Sequence, residues 1–82
     1  MEDRINLTEV GSGFVDALIA KYKAEMAQAK STLRLYTNNL TGIGEHSDLM
    51  TEQDKWLQVY TDAKGKLETI YELFNIETKI NG

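Results

Sequence analysis

Two runs of apolar residues repeat at alternating spacings of four and three, and this repeat restricts the chain to helices that pack along a seam. The first run is Tyr22, Met26, Ala29, Leu33, Tyr36 and Leu40, and Val15 with Leu18 or Ile19 extends it backward. The second run is Trp56, Tyr60, Ala63, Leu67, Ile70 and Phe74. A strand would alternate at every second residue instead. We therefore predict an all-α protein.

The segment between the two runs reads as a short connection. Gly42 stands where a helix end favours a residue with positive φ, and Ser47, Asp48 and Thr51 are alternative caps for the next helix. Helices joined by a short loop are antiparallel neighbours. We predict one helical domain over 1–82: an N-terminal arm or short helix (1–12), a long helix (13–40), a loop (41–47) and a second long helix (48–76).

Glycines at two places bear on the predicted helices. Gly11-Ser12-Gly13 interrupts the apolar pattern, so Ser12 is a candidate cap for the first long helix. Gly65 lies inside the second helix, where glycine costs about 1 kcal/mol relative to alanine. A close backbone contact would explain Gly65, and so would neutral drift. We favour the close contact.

A two-helix hairpin has a single seam, yet this chain carries more apolar residues than one seam uses. The surplus comprises a stripe of Ala17, Ala20, Ala24 and Ala27, and four larger residues, Leu57, Val59, Tyr71 and Leu73. Small domains without disulfides often gain stability by oligomerising, and this chain has no cysteine. We predict a homo-oligomer.

Charge is unevenly distributed along the chain. The formal net charge is −4, which argues against binding a DNA or RNA polymer. Residues 14–40 nevertheless carry four cations against two acids, while residues 47–77 carry seven acids against three lysines. Lys23, Lys30 and Arg34 share one face, bordered by Lys21, with Phe14 and Tyr22 nearby.

Such a face has two interpretations. Cations can bond to phosphates while aromatic rings stack on bases and Glu25 accepts from base amino groups, which together would hold a small nucleotide at a subunit interface. The alternative is that these cations pair with the acidic second helix and that Tyr22 is a core residue. Both remain open at this point.

Catalytic and metal sites find little support. The chain has one histidine, His46, and it stands beside Ser47, but sequence neighbours seldom adopt nucleophile–base geometry. We interpret His46 as structural, closing the turn. We predict neither an enzyme nor a bound cofactor or metal. With no secretory signal and no run of about 20 apolar residues, we expect a cytoplasmic location and no membrane association.

One stretch carries a resemblance. Ala20-Lys21-Tyr22-Lys23-Ala24-Glu25, Asn38-Asn39-Leu40 and above all the loop Gly42-Ile43-Gly44-Glu45-His46 resemble small helical-hairpin proteins of tailed phages. On residues 14–74, the chain is similar to the anti-CBASS cyclic-oligonucleotide sponge family. The loop is the specific part of this resemblance, and the helical pattern is generic.

The resemblance implies a function. Sponges of this family are non-enzymatic hexamers that sequester cyclic dinucleotides and trinucleotides in the host cytoplasm, so that immune effectors stay inactive. Ligands lie between protomers, where a tyrosine near the chain start stacks on a base. This chain has no tyrosine before Tyr22, so either Phe14 takes that role or the pocket differs. Lys23 would contact phosphate, Glu25 a base, and Lys64 a separate trinucleotide pocket.

A different class of function also fits the residues. The surplus apolar residues would suit a helical-hairpin interaction or assembly module that docks on a host or virion protein.

Overall fold

The structure is a computed structural model, and it describes residues 5, 6, 8–38 and 46–76. It contains two helices, α1 (Glu9–Asn38, 30 residues) and α2 (His46–Leu73, 28 residues). The two helices pack on each other as a hairpin, and no strand occurs in the described residues. The predicted all-α hairpin is confirmed. The predicted loop residues Gly42, Ile43, Gly44 and Glu45 lie outside the described residues.

The predicted seam is the face along which the helices meet. Its buried residues are Val15 and Ala29 on α1 and Leu49, Ala63, Leu67 and Ile70 on α2. Ile19 is half-buried while Leu18 is more exposed, so Ile19 is the seam residue of that pair. Leu49 extends the second run backward by one further heptad, a position that the sequence analysis did not include.

The most buried residue of each helix is an alanine. Ala29 is 0% exposed and Ala63 is 1% exposed. The distance between packed helices depends on the side chains at their contact, so alanines allow the two backbones to approach closely. The aromatic residues of the seam lie farther along it and are only half-buried, among them Tyr22, Tyr36 and Trp56.

Neighbours across the seam establish that the helices run in opposite directions. Tyr36, near the end of α1, shares a groove with Leu49 at the start of α2. Tyr22, in the first half of α1, shares a groove with Ile70 near the end of α2. The hairpin is therefore antiparallel, as predicted.

The start of α1 differs from our expectation. The helix begins at Glu9, so Gly11, Ser12 and Gly13 are helical. The cap is Thr8, whose hydroxyl accepts a hydrogen bond from the Gly11 N–H at 2.9 Å, and the Ser12 N–H donates to the Thr8 carbonyl at 2.8 Å. Ser12 is not the cap. One good cap and the long helix that follows outweigh the modest cost of two glycines.

The end of α2 is closed by a Schellman motif, and the helix stops at Leu73, three residues before the predicted end. Asn75 has a φ of 55°, its N–H donates to the Glu72 carbonyl at 3.4 Å, and the Ile76 N–H donates to the Tyr71 carbonyl at 3.0 Å. At its N-terminal end, α2 begins at His46, two residues before the predicted start.

The N-terminal segment completes this closure. The Ile5 N–H donates to the Leu73 carbonyl at 2.7 Å. The last carbonyls of a helix have no partner within the helix. Since residues 71, 72 and 73 each find one here, Ile5 ties the start of the chain to the end of α2 in the same subunit.

Neither helix of the described residues combines the length and apolarity that crossing a membrane would require.

Replacing Asn75 tests the left-handed end of α2. In this conformation a residue other than glycine is destabilised by roughly 1–2 kcal/mol, and asparagine is among the residues that tolerate it best. We expect Asn75→Ala to lower stability by about 1 kcal/mol, which lowers the melting temperature by roughly 4–8 °C. Asn75→Gly should melt at the wild-type temperature or above. Thermal unfolding followed by circular dichroism measures both, and equal melting of the two variants would contradict the motif.

Enlarging an alanine tests the close contact at the middle of the seam. Ala29→Leu adds volume where no space exists, so it should cost about 1–3 kcal/mol of unfolding free energy. Ala27→Leu makes the same change at an exposed position of the same helix and should shift stability by less than about 0.5 kcal/mol. Urea denaturation compares the two, and equal stability would show that the helices do not approach closely at Ala29.

Candidate ligand-binding flanks

The two long sides of the hairpin carry different chemistry, and the first side is basic. Lys30 and Arg34 lie beside Leu57 at one edge of the seam. Lys23 precedes Lys30 by seven residues, and Lys64 follows Leu57 by seven, so both lie on this same side two helical turns away. We call Lys23, Lys30, Arg34 and Lys64 the basic flank.

The cations of the basic flank have no acidic partner. In the part of the chain that the structure describes, the ion pairs are Lys21–Glu25 at 3.2 Å and Lys55–Glu52 at 4.0 Å, each within one helix. All four residues of the basic flank are exposed. The alternative that the first-helix cations pair with the acidic second helix is therefore not found among the described residues.

A groove of about 390 Å³ runs along the basic flank. Its apolar lining is Leu33, Leu57 and Tyr60, and its charged lining is Lys30 and Arg34. Leu57 is 54% exposed, although it is a large apolar residue. An apolar surface with convergent cations suits a ligand that has both a flat apolar part and an anionic group.

The opposite side of the hairpin centres on Tyr22. The Lys21 and Lys66 ammonium nitrogens lie 4.9 and 5.4 Å from the centroid of the Tyr22 ring, one from each helix. A groove of about 510 Å³ opens beside the ring, and its lining includes Leu18 and Gly65. We call it the Tyr22 groove. Both lysines are within cation–π distance of the ring.

The predicted site residues divide between these two sides. Lys23, Lys30 and Lys64 lie on the basic flank. Lys21 lies beside Tyr22 and is paired with Glu25, and Phe14, which is 70% exposed, precedes Lys21 by seven residues. Sixteen residues of helix separate Phe14 from Lys30, which is about 24 Å along the axis. One subunit therefore does not gather all the predicted residues into one pocket.

Some residues of these surfaces were not singled out as site residues from the sequence. Tyr60 was assigned to the seam, where it is half-buried, yet it also lines the groove of the basic flank. Lys66 was counted only among the charges of α2. The sequence could have indicated this flank, because Leu57 and Lys64 are seven residues apart and this heptad spacing places both beside the seam.

Other predictions differ from the exposure and contacts that a single subunit shows. Ala17, Ala20, Ala24 and Ala27 are all exposed, and of the four larger surplus residues only Leu57 is exposed, the rest being half-buried. A side chain at Gly65 would meet nothing within 4 Å, so the close backbone contact expected there is not made by the described residues of one subunit. His46 is the first residue of α2, and the role predicted for its side chain lies outside what the structure describes.

Within the described residues, no group of three or more His, Cys, Asp or Glu side chains is arranged to hold a metal ion.

Comparison of the chain with protein-family models, curated proteins and solved structures finds no match. The function must therefore be argued from the two flanks and from the loop sequence.

Proposed function

We propose that this protein is a non-enzymatic phage protein that binds cyclic dinucleotide and trinucleotide immune signals in the host cytoplasm and so keeps CBASS effectors inactive. The observation that carries the proposal is the basic flank. Its four cations form no ion pair among the described residues, and two of them, Lys30 and Arg34, line an apolar groove with Tyr60. The resemblance of the Gly42–His46 loop supplies the ligand class.

The basic flank matches this ligand chemistry. A cyclic dinucleotide carries two phosphates and two flat bases. Lys30 and Arg34 can donate charge-assisted hydrogen bonds to phosphate oxygens, and the apolar surface of Leu57 and Tyr60 can cover a base. Because the whole chain has a net charge of −4, a long polyanion would be repelled outside the flank, whereas a small dianion fits within it.

The distribution of candidate residues favours a division of roles between the two sides of the hairpin. Phe14 and Lys21 lie on one side, and Lys23, Lys30 and Lys64 lie on the other. Since one subunit does not bring both sets into one pocket, the basic flank is the proposed nucleotide site, and the side with Phe14 and Lys21 is left for contact with another copy of the chain. We therefore propose a homo-oligomer, and the hexamer implied by the family resemblance is our proposed assembly.

Sequestration needs no catalytic group. A binder lowers the free signal by mass action when its dissociation constant lies below the concentration at which the effector responds and its sites outnumber the signal molecules. In this proposal, affinity and copy number together determine protection.

Isothermal titration with a panel of cyclic dinucleotides and trinucleotides tests the proposal directly. We expect saturable heat for at least one member of the panel. Lys30→Ala should weaken that binding by about tenfold, because a hydrogen bond to a charged group contributes roughly 1.5–3 kcal/mol. The matched control is Lys55→Ala, an exposed lysine of α2 that pairs within its own helix and should bind as the wild type does.

Two results would overturn the proposal. The first is the absence of heat with every member of the panel. The second is a Lys30→Ala variant that binds as tightly as the Lys55→Ala control, which would remove the basic flank from the site.

A protein-docking module is the second candidate function, and exposed apolar side chains favour it. Leu57 is half-exposed and Met50 is 75% exposed, both on α2 and seven residues apart. If no titration gives heat, cross-linking through a photoreactive residue at position 50 in infected cells would show whether α2 docks on another protein. A single host or virion protein cross-linked there supports docking, and cross-links to other copies of this chain alone count against it.

A further inference from the structure

Gly65 stands in an unusual setting for a glycine inside a helix. It lies within α2, where no positive φ is needed, and the space over it is open. Among the described residues of one subunit, nothing therefore requires a residue without a side chain at this position. Alanine would serve this helix better, because it is the strongest helix former. A backbone that arrives from outside the subunit would account for the glycine.

The Tyr22 groove around Gly65 is shaped to receive such a partner. Leu18 and Ile70 provide apolar lining, and Leu18 is 39% exposed. Thr61 and Thr69 border the groove with small side chains, and the Thr69 hydroxyl donates at 2.8 Å to the Gly65 carbonyl of its own helix. A helix could therefore lie close to α2 at this point.

The charges beside Gly65 indicate what the partner is. Asp62 and Lys66 both line the groove and both are exposed. Asp62 accepts a hydrogen bond from Gln58 at 2.9 Å, and Lys66 leans over the Tyr22 ring. Neither forms an ion pair with another residue that the structure describes. When two copies of such a helix lie antiparallel, the acid of each copy lies opposite the base of the other.

We propose that the Tyr22 groove is a two-fold interface with a second copy of this chain, in which α2 helices cross in antiparallel orientation at Gly65. A two-fold axis midway between Asp62 and Lys66 crosses α2 at the level of residue 64. Along the helix axis this level is only about 1.5 Å from Gly65. The axis that brings the two backbones together at glycine thus also places each Asp62 level with the partner's Lys66.

The area of this side is sufficient for a stable dimer. α2 has 28 residues and is about 42 Å long, and two helices side by side are about 20 Å wide. The side therefore offers about 800 Å² per subunit, the amount that a standard-size interface buries. The exposed alanine stripe of α1 is a weaker candidate, because alanine in a helix needs no partner to explain it.

This interface specifies the oligomer of the proposed function and leaves the basic flank on the opposite side free. The inference rests on the proposed self-association and does not depend on any nucleotide. Its test uses the protein without ligand, so its failure and a failure of nucleotide binding are separate results.

Charge reversal tests the pairing. We expect the wild type to sediment as an oligomer. Asp62→Lys and Lys66→Asp should each weaken association by about tenfold or more, because each turns two attractive pairs into two repulsive pairs. An equimolar mixture of the two variants should associate again, since every pair across the mixed interface is then attractive. Analytical ultracentrifugation measures all four samples, and far-UV circular dichroism confirms that each variant is folded.

Enlarging the glycine tests the crossing point. Gly65→Leu should abolish this association, because a bulky side chain keeps the two backbones apart. Gly13→Leu is the matched control, since Gly13 is also helical, exposed and open around its Cα, but it does not line the groove. It should associate as the wild type does.

Three outcomes would overturn the interface. The first is a monomeric wild type, which would also remove the proposed oligomer. The second is an oligomer that neither the charge variants nor Gly65→Leu weakens, which would place self-association elsewhere, for example on the alanine stripe. The third is a mixture of the two charge variants that stays as weakly associated as each variant alone.

Discussion

The close packing of α1 on α2 along one apolar seam is the contact on which the rest of the molecule depends. Ala29 and Ala63 are its most buried residues, and the aromatic residues of the seam lie farther along it with part of their surface exposed. Because two helices have only one seam between them, most of each helix surface remains outside the core. The two flanks, where both candidate interactions lie, are a direct consequence of this geometry.

Hydrogen bonds to backbone groups close the start of α1 and the end of α2. Thr8 caps α1, and the end of α2 uses Asn75 in a left-handed conformation together with the N–H of Ile5. This closure fixes the start of the chain beside the end of α2. The two candidate surfaces lie along the sides of the hairpin.

Charge separates the two flanks. Among the described residues, the four cations of the basic flank form no ion pair, which suits an anionic ligand. The Tyr22 groove has an acid and a base one turn apart, which suits a copy of itself. In the proposed assembly, one side of the hairpin holds subunits together and the other remains available for small nucleotides. Both interactions use long polar side chains next to apolar surface, an arrangement typical of interfaces that stay accessible to water.

The heptad spacing alone determined the helical hairpin and nearly all of its seam, because burial follows helix periodicity. The spacing of Lys23, Lys30 and Arg34 also predicted a shared basic face. The sequence did not determine that Thr8 rather than Ser12 caps α1, since a cap depends on the backbone conformation at one residue. Nor did it show that the cations of α1 avoid the acids of α2, or that Gly65 faces open space. Those features depend on how the two helices are rotated about the seam, which only the tertiary structure decided.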